Sequence, residues 1–238
     1  MAHLLSKSKY IRGLQCERAL WLDVYQPRLA RYTREQMRRF DAGRDFEYAF
    51  KSTFPAAIDL SAELKRNVDA YPDRTAALLD ANPAAVLFEA GFQYDDVLVL
   101  ADVVCQREDG ALDIYEVKSG STLSETYKKD AAVQHYVISH CRQVNSFSIV
   151  YANKQSDNSE YSDYSNYSDN SDNRFTIVDL TENLAAQSDT VASNIAAMKD
   201  ILTHGEPATH TGQHCLEPYA CPYQHYCQQG FRQMSLFR

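Results

Sequence analysis

The sequence predicts an α/β fold on a mixed sheet, and three observations predict it. Two charge-rich segments of helical character open the chain. Three apolar runs separated by acidic turns follow between residues 86 and 117, and helix-like and strand-like segments then alternate up to a cysteine-bearing tail. That order (helices, strand meander, helix, strand pair, helix, tail) calls for a sheet covered by helices. With 238 residues the chain can build one sizeable core, and it is read as one domain over 1–238.

Residues 5–24 read as a helix that Ser6 could cap. A second helix is expected over 34–51, stopped by Phe54-Pro55 because the residue before proline avoids helical geometry. A third is expected within 62–80, broken near Tyr71-Pro72. The runs 86–92, 97–105 and 112–117 read as an antiparallel meander, with Asp95-Asp96 and Asp109-Gly110 as its turns. Residues 126–141 read as a helix with Ala131, Ala132, Tyr136 and Val137 facing inward. Residues 147–151 and 174–180 read as a strand pair, and 181–204 as the last helix. Between that strand pair lies 154–173, a Ser/Asp/Asn/Tyr segment too poor in apolar residues to order itself, expected as a disordered insert in a hairpin loop.

The formal net charge of −8 argues at first against a nucleic-acid partner, but its distribution is uneven. Residues 7–44 carry ten basic side chains against four acids, while 155–173 carry five acids and no Lys or Arg. A basic face on an acidic chain can bind a phosphate backbone; it can equally be a solvated helix surface. No apolar run approaches the roughly 20 residues of a membrane helix, and residues 1–9 hold no secretory leader, so the chain is expected to be cytoplasmic, with no membrane partner.

The central motif is Asp102 followed by Glu116-Val117-Lys118. Alternation along a strand puts Glu116 and Lys118 on one face, and a neighbouring strand can bring Asp102 beside them. Glu89, on the strand before, could add a further ligand. Carboxylates are the hard oxygen donors that Mg²⁺ or Mn²⁺ prefers, and a lysine beside them can orient water and stabilise developing negative charge. Glu-x-Lys by itself is commonly a surface salt bridge. Here Asp102 follows the apolar run Val97-Leu98-Val99-Leu100, an awkward place for an unpaired charge, and Glu116 and Lys118 end a half-buried strand.

Glu89, Asp102 and Glu116-Val117-Lys118, followed by a helix holding Gln134 and Tyr136, resemble the motifs of the RecB-like PD-(D/E)XK nucleases. Within that superfamily the chain resembles the CRISPR-associated Cas-four-type exonucleases. Through 5–16 (LSKSKYIRGLQC) and its tail it is more similar still to a related bacterial group known only as a domain of unknown function. The resemblance covers most of the chain but not 154–173. It implies a restriction-endonuclease-like core, Mg²⁺ or Mn²⁺ at Asp102, Glu116 and Glu89, a catalytic Lys118, and Gln134 and Tyr136 close to the DNA or the active site. It further implies a deoxyribonuclease that digests single-stranded DNA from an end, in CRISPR adaptation or in DNA repair and processing, with proteins of those systems as possible partners. Two departures stand out. Three residues usually separate that Gln and Tyr, whereas only His135 does so here. Relatives also place a metal-binding His four residues after a helix glycine, whereas Gly43 is followed at that distance by Glu47, either a ligand or a solvated residue.

Six cysteines are present, and in a cytoplasmic chain clustered cysteines more often hold metal than form disulfides. Cys215, Cys221 and Cys227 are each separated by five residues, and Cys16 lies far off near the N-terminus. Four thiolates suit a 4Fe-4S cluster or a zinc ion, and the spacing alone decides neither. The resemblance implies iron–sulfur, with Cys16 and the segment 205–230 as its two halves, so that the ends of the chain join at the cluster. His210 and His214 flank it as loop residues, Trp21 reads as core, and Lys9, Arg12 and Arg18 read as phosphate contacts or ordinary surface charge. Cys105 and Cys141 read as buried small hydrophobes. Two other readings are consistent with the sequence: a DNA-binding accessory module with little or no cleavage, and a zinc-stapled protein that is not a nuclease.

Overall fold

The computed structural model describes residues 4–153 and 174–228, so the expected disordered insert, 154–173, and the last two residues of the segment 205–230 lie outside it. Seven strands form one mixed sheet: β1 (Leu5–Ser6), β2 (Ile58–Asp59), β3 (Val86–Tyr94), β4 (Val97–Gln106), β5 (Leu112–Lys118), β6 (Val144–Ala152) and β7 (Phe175–Asp179). The order across it is β2-β3-β4-β5-β6-β7, with β1 on β4. The meander β3-β4-β5 is antiparallel, β6 joins β5 in parallel, and β7 closes antiparallel on β6. The α/β class and the strand pair therefore hold. β1 and β2 were not expected: each has two residues, too few for alternation to register, and each pairs in parallel with a longer strand.

The helices are α1 (Lys7–Gln15), α2 (Glu17–Tyr25), α3 (Arg34–Lys51), α4 (Leu60–Leu64), α5 (Tyr71–Ala81), α6 (Glu125–Cys141), α7 (Thr181–Ala185) and α8 (Ser188–Thr203). Ser6 does cap α1, its hydroxyl accepting from the Lys9 N–H. The helix expected over 5–24 is corrected to two, because Cys16 is extended (φ −166°, ψ 124°), ending α1 and starting α2. Pro72 sits in the first turn of α5, where its missing N–H costs nothing, so it starts that helix instead of breaking one. The last expected helix is likewise two, α7 and α8. α3 keeps its expected bounds, with Thr33 and Gln36 forming a reciprocal capping box.

The sheet has two apolar faces. α1, α5, α6 and α8 cover one, where Leu87, Ile114, Phe147 and Ile149 meet Tyr10, Leu79, Val137 and Ile195. α3 covers the other with Phe46 and Phe50 against Val103, Val117 and Val150. Every residue of α6 from Asp130 to Ile138 is buried, as befits a helix wrapped on all sides. Cys105 is half-buried, but Cys141 is exposed at the end of α6, which corrects its expected burial.

α5 lies so close on β3 that Gly91 has no room for a side chain. A Cβ there would collide with the Cβ of Tyr71 and come 2.9 Å from its carbonyl carbon. The Gly91 N–H also donates to the buried Thr75 hydroxyl at 2.8 Å. Gly91→Ala is expected to cost about 1–3 kcal/mol by overpacking. Chemical denaturation would read this as a lower midpoint, and an unchanged midpoint would show that α5 yields freely. No helix among the described residues is long and apolar enough to cross a membrane.

Candidate active site

The site forms where the sheet forks. β4 pairs with β5 only from Gln106 back to Val103, and the ladder stops one residue short of setting Asp102 against Glu116. β1 takes the far end of that edge of β4, at Val97 and Leu98. In the fork, Asp102 Oδ2 accepts the Val117 N–H at 2.6 Å, so a carboxylate replaces the backbone carbonyl that the ladder would have supplied.

The other neighbour of β4 is distorted at the same level. The β3–β4 pairs run from Val86↔Cys105 to Tyr94↔Val97 with one gap, where Glu89 stands opposite Asp102. Glu89 has φ +54°, a left-handed conformation that L residues disfavour by about 1–2 kcal/mol. Both strands change face there: Phe88 and Val103 face α3, whereas Ala90 and Ala101 face the larger core, although residues two apart normally share a face. Such strain persists where the surroundings impose it, commonly at functional sites. Its effect is to gather carboxylates: one oxygen each from Glu47 on α3, Glu89 and Asp102 lie within 4.8 Å of one another.

Glu116 is buried on the α6 side of β5, at 1% exposure. Its Oε1 accepts from Lys118 Nζ at 2.5 Å and from Lys7 Nζ, at the start of α1, at 2.8 Å. Its Oε2 is buried and has no partner among the described residues. Lys118 Nζ also donates to Asp130 Oδ2 on α6, and Lys7 Nζ lies 3.9 Å from the same oxygen. Near α3, Lys51 Nζ donates to Glu47 at 2.5 Å and to Glu89 at 2.6 Å. Five carboxylates thus share three ammonium groups, a formal surplus of two negative charges.

Burial and this crowding separate the protonation states. Burial would raise the Glu116 carboxyl, but Lys118 and Lys7 outweigh it and hold the group far below the usual range. Asp102, equally buried and beside Glu116, is pushed well up. Glu89 is raised, by burial first, although Lys51 opposes the shift. Burial disfavours the Lys118 ammonium, yet Asp130, Glu116 and Asp102 together raise its pKa, so it stays protonated.

The structure brings Asp102, Glu116, Lys118 and Glu89 together, and Glu47 joins them. Gln134 is fully buried on α6 one turn from Asp130, and neither of its amide atoms has a partner among the described residues. Tyr136 is not brought to the site: its ring packs on Tyr94 and His140 by the β3–β4 turn. Lys7, Lys51 and Asp130 escaped sequence reasoning. Asp130 carried a usable signal, a charge beside the apolar stretch of α6; Lys7 and Lys51 look like ordinary helix-end cations.

The four selected cysteines lie where the tail docks on α1 and α2. Gln15 Nε2 donates to the carbonyls of His214 (2.8 Å) and Tyr219 (2.7 Å), Trp21 Nε1 to His204 (3.1 Å), and Arg18 Nε to Glu206 (2.6 Å). The Tyr223 hydroxyl donates to Asp23, and its ring is buried with Ala19 and Leu22 against Cys16 and Cys221. The Cys221 N–H donates to the Cys215 carbonyl at 2.8 Å. All four thiols are free, and burial, with Cys16 and Cys215 nearby, raises the pKa of Cys221 and Cys227. Among the described residues no three of these sulfurs lie within 4.8 Å of one another. His214 Nε2 is 3.6 Å from Cys215 Sγ, Arg12 pairs with Asp23, and Trp21 is partly buried against the core.

No family model matches this chain, and no curated protein matches it.

Proposed function

We propose that the chain is a RecB-like, restriction-endonuclease-like nuclease that hydrolyses DNA phosphodiester bonds with Mg²⁺ or Mn²⁺. The observation that carries the reading is the sheet fork, where Asp102, Glu116 and Lys118 meet beside the Glu47–Glu89–Asp102 group. The donor set fits a hard divalent cation: its donors are carboxylate oxygens, and one buried oxygen of Glu116 has no partner among the described residues. Asp102, Glu89, Glu47 and Glu116 would hold it. Bound there, the ion supplies Lewis acidity toward a phosphoryl oxygen and makes water a better nucleophile.

The chain's own residues do the rest. Lys118 keeps its proton and faces the carboxylates as a fixed cation, suited to stabilising charge that develops on the attacked phosphate. Asp130 and Glu116 fix its ammonium group from two sides. Lys7 shares Glu116, so that buried carboxylate keeps a second cation beside Lys118.

The four cysteines fit a soft metal group held between α1–α2 and the tail. A zinc ion bound at about 2.3 Å by four thiolates would draw their sulfurs to roughly 3.8 Å from one another. The resemblance points to iron–sulfur, and we propose a 4Fe-4S cluster at Cys16, Cys215, Cys221 and Cys227. Digestion of single strands from an end, in CRISPR adaptation or DNA repair, follows from the resemblance and is part of the same proposal.

The test uses anaerobically purified protein with end-labelled single- and double-stranded DNA. Cleavage is expected with Mn²⁺ and not with a chelator, and Glu47→Gln should raise the Mn²⁺ concentration for half-maximal rate about tenfold or more. Parent protein with its cluster intact that cuts neither DNA would move the site to a binding role. A Glu47→Gln protein with parental Mn²⁺ dependence would remove Glu47 from the ligand set.

A further inference from the structure

The carboxylate group of the site carries a cation of its own. Lys51, the last residue of α3, donates from Nζ to Glu47 Oε1 at 2.5 Å and to Glu89 Oε1 at 2.6 Å. Glu47 and Glu89 are two of the three carboxylates, with Asp102, whose oxygens lie within 4.8 Å of one another. The lysine side chain is 12% exposed, so salt screens this bridge less than it screens a surface pair.

The bridge is not what holds α3 on the sheet. That helix docks through Phe46 and Phe50 on Val103, Val117 and Val150. Nor is a lysine between two carboxylates special in itself. Lys199 lies 2.5 Å from Asp95 and 2.8 Å from Asp96 at the β3–β4 turn, but no third ligand joins that pair among the described residues. Lys51 differs because it bonds to two members of a group of three, and one of them is Glu89, the strained residue opposite Asp102.

A divalent ion held by Glu47, Glu89 and Asp102 would draw on the same two carboxylates as the ammonium, and the two cations repel. Lys51 Nζ also lies 5.4 Å from the centroid of the Phe88 ring. An ammonium that leaves the carboxylates therefore keeps an aromatic face beside it.

We propose that Lys51 is a built-in competitor of the divalent ion. Its ammonium gives up Glu47 and Glu89 when the ion takes them, which lowers the affinity of the site without changing its ligands. The proposal rests on the metal-site reading above. An ammonium that holds the two carboxylates about nine-tenths of the time weakens apparent ion binding about tenfold.

The test is Mn²⁺ binding, read from the loss of the free-ion electron paramagnetic resonance signal. It uses the full chain, purified anaerobically, without DNA, so turnover plays no part. Lys51→Met, which keeps an unbranched stem, should bind Mn²⁺ about tenfold tighter than the parent. Adding Glu47→Gln to that variant should remove most of the gain. Lys199→Met, which removes a bridging lysine elsewhere, should bind as the parent does. Parental binding in Lys51→Met would overturn the competitor and leave the metal reading standing. Weaker binding would also overturn it, since that marks a lysine which props the ligands in place. An equal gain in Lys199→Met would do the same, because it marks a general effect of net charge. Mn²⁺ binding by none of these proteins would remove the metal reading and the competitor with it.

Discussion

Lys118→Ala is expected to lower single-turnover cleavage of end-labelled DNA by about 10²–10³-fold, the scale on which a preorganised charge-stabilising donor acts. Lys118 hydrogen-bonds to both Glu116 and Asp130, at 2.5 Å from Glu116, and its charge is maintained because Asp130, Glu116 and Asp102 outweigh its burial. A lysine that stays protonated cannot take a proton from water, so its contribution is charge and orientation. Removing it leaves Lys7, among the described residues, as the ammonium group bonded to Glu116. The fold should survive. Stranding a buried charge commonly costs about 3–5 kcal/mol, but Lys7 remains 2.8 Å from Glu116 and 3.9 Å from Asp130, so the loss should be well below that. Thermal unfolding would confirm an intact variant. Cleavage within tenfold of the parent, in a folded variant, would remove Lys118 from the chemistry.

The carboxylate–lysine group was legible because strands make charge conspicuous. Asp102 follows four apolar residues, and Glu116 and Lys118 close an alternating run, so each stands out against a pattern of period two. The cations around them were not legible. Lys7 and Lys51 sit at the start of α1 and the end of α3, where basic residues are ordinary, and only the packing of those helices brings them onto Glu116 and Glu89. The break at Cys16 was hidden for a similar reason. No Pro or Gly marks it, and the extended residue is held by docking of the tail against α1 and α2. Tyr136 shows a limit of motif reading. Residues two apart on a helix point in roughly opposite directions, whereas residues four apart share a face. The shortened spacing from Gln134 therefore turns Tyr136 toward Tyr94 and the β3–β4 turn, while Gln134 stays on the face of Asp130.

α1 carries Lys7 at its first residue and Gln15 at its last, so one helix touches both the Glu116 carboxylate and the Tyr219 carbonyl. Cys16 follows immediately, so α1 joins the cysteine segment to the Lys7–Glu116 pair.

Cys16→Ser isolates that coupling, because the substitution preserves the backbone role of the residue. Cys16 ends α1, its N–H donating to the Arg12 carbonyl at 2.9 Å, and starts α2, its carbonyl accepting from Leu20 at 3.0 Å. Serine is a favoured helix N-cap, so the break between the helices should persist. What is lost is one thiolate of the proposed four. Iron per chain should fall to near zero and the visible absorbance of the cluster should disappear. In the proposed cluster, the clip between Cys16 and the tail would close nearly the whole chain into a loop. Opening it relaxes a constraint on the unfolded state comparable to a long disulfide loop, about 3–5 kcal/mol. For a chain of this size that corresponds to a fall in Tm of ~10 °C. Unfolding should begin in the tail, where Arg18–Glu206 and Tyr223–Asp23 still hold but the cysteines do not. Limited proteolysis should therefore cut between residues 205 and 228 in the variant before it cuts the sheet. A Cys16→Ser protein that keeps its iron and its Tm would remove Cys16 from the ligand set. A colourless parent protein holding zinc would keep the clip but replace the cluster with a single ion.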